Sequence, residues 1–195
     1  MKKTVFPLFS TPLFEVTDLP LDNKKIAKFF INYAKKNKSR ILTNEGGYQS
    51  NDVKDVSNPE FDKFKALLFE AAKEYSRILE IEEISKFAQI WFNINQKTHF
   101  NNSHKHLNSM FSGVYYVKAP KNSGNLSFKH NVNDFQYAWN HFNPIKPKQF
   151  NMFNSGTWII KPSAGNLYLF PCWAEHMVGI NESKEERISI AFDII

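Results

Sequence analysis

Apolar residues in the first third of the chain recur at intervals of three and four. Ile26, Phe29, Phe30 and Tyr33 fall on one face of a helix predicted over roughly 23–38, and Asp22 stands where its side chain can cap it. Asn58 and Pro59 offer an N-cap and a first-turn proline for a second helix. Its stripe is Phe61, Phe64, Leu68, Ala71, Tyr75 and Ile78, ending near Ile81. Residues 5–16 read as a strand or extended arm, and NEGGYQSND, residues 44–52, reads as a loop.

After Ser85 the period changes to two. Ala88, Ile90, Phe92 and Ile94 fall on one face; Gln89, Trp91, Asn93 and Asn95 fall on the other, which must meet solvent or line a polar pocket. Further strands are predicted at 112–118, 124–129, 156–161, 166–170 and 186–194. Residues 130–155 form a long, aromatic, Asn-rich insertion, a lid-like element in this reading. Helices first and strands afterwards predict an α+β fold, mainly β, with a barrel or sandwich core. One domain is expected over 1–195, with about 1–85 as helical support and about 86–195 as the strand core.

Composition adds limits rather than chemistry. The 19 Phe suit a well-filled interior. Cys172 is the single cysteine, so no internal disulfide can form, and a reducing cytoplasm is the simplest compartment. MKKTVFPLFSTPLFEV begins like a signal peptide, but Pro7, Ser10, Thr11 and Pro12 break the apolar run, so it reads as mature protein. No stretch approaches the about 18 apolar residues of a membrane span. The net charge of +6 owes much to Lys24, Lys25, Lys28, Lys35, Lys36, Lys38 and Arg40. These read as the solvated face of a helix, and no nucleic-acid partner is expected.

His104 and His106 stand two apart beside a strand-forming run, and on a strand both would point the same way. A third histidine, His176, follows the strand introduced by KPSAGN. The last strand alternates strictly: Arg187, Ser189, Ala191 and Asp193 on one face, Ile188, Ile190, Phe192 and Ile194 on the other. The isoleucine face needs the helices as cover, so Arg187 must point inward. An inward arginine needs an anion, and a bound carboxylate matches its planar fork. Asp193 is the one acid near it on that face.

The chain resembles the iron(II)- and 2-oxoglutarate-dependent oxygenases in WFNI, HKH, SGVYY, LYLFP, HMV and RISIAF, taken in this order and spacing. Within them it is similar to a group of short bacterial and phage chains that carry an H-x-H motif. The likeness runs from about Phe6 to the end and is densest over 91–117 and 162–192. It implies a double-stranded β-helix, or jelly roll, with the helices packed on one sheet. It also implies Fe(II) as metal, 2-oxoglutarate as cosubstrate, and oxidation of a substrate by O2 with release of succinate and CO2. His104 and His176 match the iron-binding histidines. Arg187 matches the residue that binds the distal carboxylate of 2-oxoglutarate, with Ser189 completing R-x-S and Tyr116 at a position that donates to the same carboxylate in some relatives. Asn93 or Asn95, by pocket-facing parity, would reach the cosubstrate's other end.

The departure from the family pattern is His106, where the superfamily has Asp or Glu. It either binds the metal or leaves the position to water or a halide; ligation is the favoured reading. His99, His130 and His141 are read as surface or loop residues, with His141 able to touch substrate. Trp91, Phe128, Phe170 and Trp173 read as core or pocket wall, and Cys172 as packing. Of the nearby acids, Glu175 should face away from His176, and Asp134 lies in the insertion. The substrate is expected to be a small molecule, an amino acid or a peptide; hydroxylation is the expected outcome, and oligomeric state is left open. Two rivals stand beside this reading. One is a three-histidine dioxygenase that does not use 2-oxoglutarate; the other is a non-catalytic jelly-roll module that binds metal.

Overall fold

The structure is a computed structural model and describes residues 1–81, 84–130 and 148–195. The first helix, α1, is Asn23–Ala34, and the Asp22 carboxylate accepts from the backbone N–H of Lys24 and Lys25. It ends before 38. Lys35, Lys36 and Lys38 extend no apolar stripe, and the Lys36 N–H turns to the Tyr33 carbonyl. The second helix, α2, is Pro59–Ile78, with the Asn58 side chain accepting from Glu60 and Phe61. Phe61, Phe64, Leu68, Ala71 and Tyr75 are buried, as the period requires, but Ile78 is 58% exposed. A period of 3.6 drifts off a three-four pattern, and near the helix end Ala72 and Ser76 occupy the buried face instead.

Eleven strands follow in chain order among the described residues. They are β1 Phe14–Val16, β2 Asn44–Glu45, β3 Tyr48–Gln49, β4 Phe87–Asn95, β5 Phe100–His104 and β6 Phe111–Lys118. After these come β7 Leu126–Lys129, β8 Thr157–Ile160, β9 Leu167–Pro171, β10 His176–Val178 and β11 Arg187–Ile194. They form two antiparallel sheets, β1-β9-β6-β11-β4-β3 and β2-β5-β10-β7-β8. Of the arm predicted over 5–16, only Phe14–Val16 pairs, along β9. The segment read as a loop, 44–52, holds two strands. β2 joins β5 in one sheet and β3 joins β4 in the other, with Gly46 at φ +75° between them. Two-residue strands carry no periodicity, which is why the sequence gives no sign of them.

The helices cover the six-stranded sheet. Ile188, Ile190, Phe192 and Ile194 are wholly buried in one cluster with Phe30, Phe61, Phe64 and Leu68. Phe30 stacks on Phe92 with centroids 4.2 Å apart, and Phe64 meets Tyr115 edge-on at 5.1 Å. Burying each such side chain contributes about 1.5–3 kcal/mol. The opposite face of β11 looks between the sheets, where Val114, Tyr116, Leu126, Phe128, Tyr168 and Phe170 form a second, smaller cluster. Two facing antiparallel sheets, one backed by helices, make the double-stranded β-helix. The expected lid, 130–155, lies for the most part outside the described residues.

Candidate active site

His104 closes β5 and His176 opens β10, and the two are direct partners in the antiparallel register. His106 is placed differently from the expectation. The strand ends at His104, so strand parity does not aim His106; its backbone N–H is tied instead to the Cys172 carbonyl at 2.9 Å. All three rings still meet. Their centroids are 4.4 Å (His104–His176), 4.9 Å (His104–His106) and 5.1 Å (His106–His176) apart. One ligand atom from each lies within 4.8 Å of the others.

Each Nδ1 faces an acceptor. His104 Nδ1 lies 2.7 Å from the Asn102 carbonyl and His176 Nδ1 2.9 Å from the Ala174 carbonyl. His106 Nδ1 lies 3.0 and 3.3 Å from the two oxygens of Asp193. A carbonyl can only accept, so Nδ1 carries the hydrogen and Nε2 keeps the lone pair. Burial, then the neighbouring charge of His104, pushes the His176 pKa down to about 3; burial likewise lowers that of His104. Neutral imidazoles with free lone pairs are what a divalent metal needs.

Trp91 stacks on His106 at 5.5 Å and Phe170 meets His176 edge-on at 4.6 Å. These two walls, the three histidines, Asn93 and Ser189 line one cavity between the sheets. Across the strands, Asn93, Ser189 and Tyr116 stand in one row, and Arg187 lies opposite Asn95.

Arg187 is 1% exposed. Its guanidinium donates to the carbonyls of Ser123 and Gly179, and to Asn101 Oδ1 at 3.2 Å. Among the described residues it pairs with no carboxylate, and Asp193 is committed to His106 and Ser112. Burial lowers the Arg187 pKa, while the nearby Tyr116 hydroxyl acts the other way. That hydroxyl is itself buried without a hydrogen-bond partner, and burial raises its pKa. A desolvated cation beside an orphaned donor is costly unless an anion joins them. The donor set therefore fits a carboxylate near Arg187 and a divalent metal at the histidines.

Not every candidate is brought to the cavity. Asn95 is fully buried, and its amide donates to Asn44 Oδ1 at 2.6 Å, while the Asn44 amide donates to Asn93 Oδ1 at 3.0 Å. Glu175 does face away, bound to Lys129 and Ser103. His99 accepts from the Gln96 N–H in a turn. Asp134 and His141 lie outside the described residues.

Sequence reasoning missed Asn101, the Asp193–His106 contact and Gly124. The last has φ +94°, and a Cβ there would come 2.7 Å from Arg187 Nη1. The turn KNSGN marks a glycine, but only the fold shows what approaches it.

No curated protein sequence matches the chain. Solved structures do, at low identity. A Pseudomonas putida prolyl-4-hydroxylase matches with a TM-score of 0.68 and 16% identity over 96% of this chain and 94% of its own. HygX from Streptomyces hygroscopicus, with nickel and 2-oxoglutarate bound, matches with a TM-score of 0.63 and 9% identity over 94% and 82%. The viral collagen prolyl hydroxylase of Paramecium Bursaria Chlorella virus-1, as its 2-oxoglutarate complex, matches with a TM-score of 0.58 and 16% identity over 93% and 94%. These likenesses establish the fold. A family model described as "Putative 2OG-Fe(II) oxygenase" matches residues 89–193, more than half of the chain, a span that holds the three clustered histidines and Arg187. The chain belongs to that family of 2-oxoglutarate–iron(II) oxygenases.

Proposed function

We propose that this oxygenase hydroxylates a small molecule, an amino acid or a peptide, with His104, His106 and His176 as its iron ligands and Arg187 as the anchor of 2-oxoglutarate. The observation that carries the reading is the buried Arg187 guanidinium, unpaired with any described carboxylate, beside the partnerless Tyr116 hydroxyl and the cavity of three imidazoles. When bound, iron(II) and 2-oxoglutarate supply the activation of O2, with release of succinate and CO2.

The chain's own residues do the rest. The three Nε2 lone pairs would hold the metal, and the Nδ1 hydrogen bonds fix the orientation of the rings. Arg187 presents its planar fork to the distal carboxylate of 2-oxoglutarate, where Tyr116 and Ser189 can donate. Asn93, on the cavity, is the better placed of the two asparagines to reach the cosubstrate's other end; Asn95 supports it through Asn44. Trp91 and Phe170 exclude water from the rings. Neither rival reading gains from these observations: the family match favours use of 2-oxoglutarate, and a bare metal-binding module has no use for Arg187. No described helix is long and apolar enough to cross a membrane. We place the chain in the cytoplasm on the single free Cys172.

The test is anaerobic addition of iron(II) with and without 2-oxoglutarate, watching for the weak visible charge-transfer absorbance of the chelate, then succinate release once O2 is admitted. No chelate band and no succinate would sink the proposal.

A further inference from the structure

The three histidines bring no negative charge to the metal, yet a carboxylate stands one ring away. Asp193 lies on β11, opposite Gln89 of β4 and Ser112 of β6. Its Oδ1 is 3.0 Å from His106 Nδ1 and its Oδ2 3.3 Å, while the Ser112 hydroxyl donates to Oδ1 at 2.7 Å. The His106 and Asp193 side chains are only 10% and 15% exposed. Among the described residues no lysine or arginine pairs with Asp193. With only a ring nitrogen and a hydroxyl on it, this nearly buried carboxylate gains from any positive charge placed at that ring. A divalent cation on the far nitrogen of that ring would compensate it.

We propose that Asp193 is a positioning residue for the metal, resting on the three-histidine reading above. Its carboxylate holds His106 with hydrogen on Nδ1 and Nε2 toward the metal, and it polarises the imidazole toward greater basicity. Asp193 thus supplies from one ring further out the charge that a carboxylate ligand would supply directly. The loaded cavity then balances: iron(II) offsets the two charges of 2-oxoglutarate, and Arg187 offsets Asp193. It also explains why His106 needs no strand to aim it, because the Cys172 carbonyl fixes its backbone and Asp193 fixes its ring.

The experiment is titration of metal-free protein with cobalt(II), read by its visible absorbance and by calorimetry. The proteins are wild type, Asp193→Asn, His106→Ala, the double variant and His104→Ala. Asp193→Asn keeps shape and removes charge, so cobalt(II) affinity should fall roughly 10–100-fold. In the His106→Ala background the same change should cost less than about twofold, because the carboxylate acts only through that ring. Asp193→Glu should recover part of the loss. Wild-type affinity in Asp193→Asn, or an equal loss with and without His106, would overturn the proposal. Should Asp193→Asn not fold, Ser112→Ala loosens the carboxylate without removing it; a few-fold weaker cobalt(II) binding supports the role and unchanged binding overturns it. If wild type takes up no stoichiometric cobalt(II), or His104→Ala binds as wild type does, the three-histidine site itself is wrong and Asp193 loses its role with it.

Discussion

His176 and His104 face each other as register partners across β10 and β5. Their separation is therefore set by the backbone ladder and not by a metal, so the pair should persist in metal-free protein. Persistence has an energetic consequence. Burial first, and the charge of His104 second, hold the His176 pKa at about 3 against an ordinary 6.5. Below pH 6.5 the unfolded chain takes up a proton that the folded chain refuses, so this residue's contribution to stability falls between pH 6.5 and about 3 and is complete above 6.5. Melting temperatures of metal-free protein should drop through this window, and His176→Gln should show a shallower slope.

Arg187 should separate cosubstrate binding from metal binding. Arg187→Lys keeps a charge but loses the fork, so 2-oxoglutarate affinity in the iron(II) form should fall at least about tenfold. Arg187→Ala should nearly abolish succinate release while iron binding survives. It also strands the carbonyls of Ser123 and Gly179 and the Asn101 side chain, at about 1–3 kcal/mol for each group left dry. Anaerobic titration and a urea melt read the two effects; normal 2-oxoglutarate turnover in Arg187→Ala would refute the assignment.

Tyr116→Phe should split function from stability. The hydroxyl has no partner, so its removal should leave stability unchanged or raise it slightly. If the hydroxyl donates to the cosubstrate carboxylate, 2-oxoglutarate binding should weaken about tenfold, a charged hydrogen bond's worth. Equal 2-oxoglutarate affinity in the two proteins would remove Tyr116 from the site.

Gly113→Ala tests the packing of the helix-covered sheet. A Cβ there would collide with the Phe192 ring and come 2.8 Å from Leu169 Cδ2. Overpacking of this kind costs about 1–3 kcal/mol, or roughly 2–4 °C per kcal/mol in a chain of this size. Thermal unfolding checks it, and an unshifted melting temperature would contradict the packing described here.

The long periodic segments were legible in the sequence. Phe61 to Tyr75 and the alternation of Ile188 to Ile194 predict both the helix and the side of β11 on which Arg187 lies, because each pattern reports one partner surface. Ile78 was not, since the stripe's drift at a helix end depends on where the sheet stops. The short strands β2, β3 and β10, of two or three residues, lack enough residues for a period to show. His106 joins the cluster as the sequence suggests, though for a different reason, a bond to the Cys172 carbonyl. Asp193 was seen on the same face as Arg187, but its partner proved to be His106. Side-chain pairing across strands depends on register, and register between distant segments is written in no local motif.

The chain of Asn93, Asn44 and Asn95 joins a strand of one sheet to a strand of the other through side-chain amides alone. Amides neither gain nor lose protons in water at ordinary pH, and added salt does little to bonds between uncharged groups. On this side one fastening between the sheets is thus indifferent to acidity and ionic strength, beside the charged link from Arg187 to Asn101. Acid strong enough to protonate His104 or His176 leaves this link between the sheets untouched.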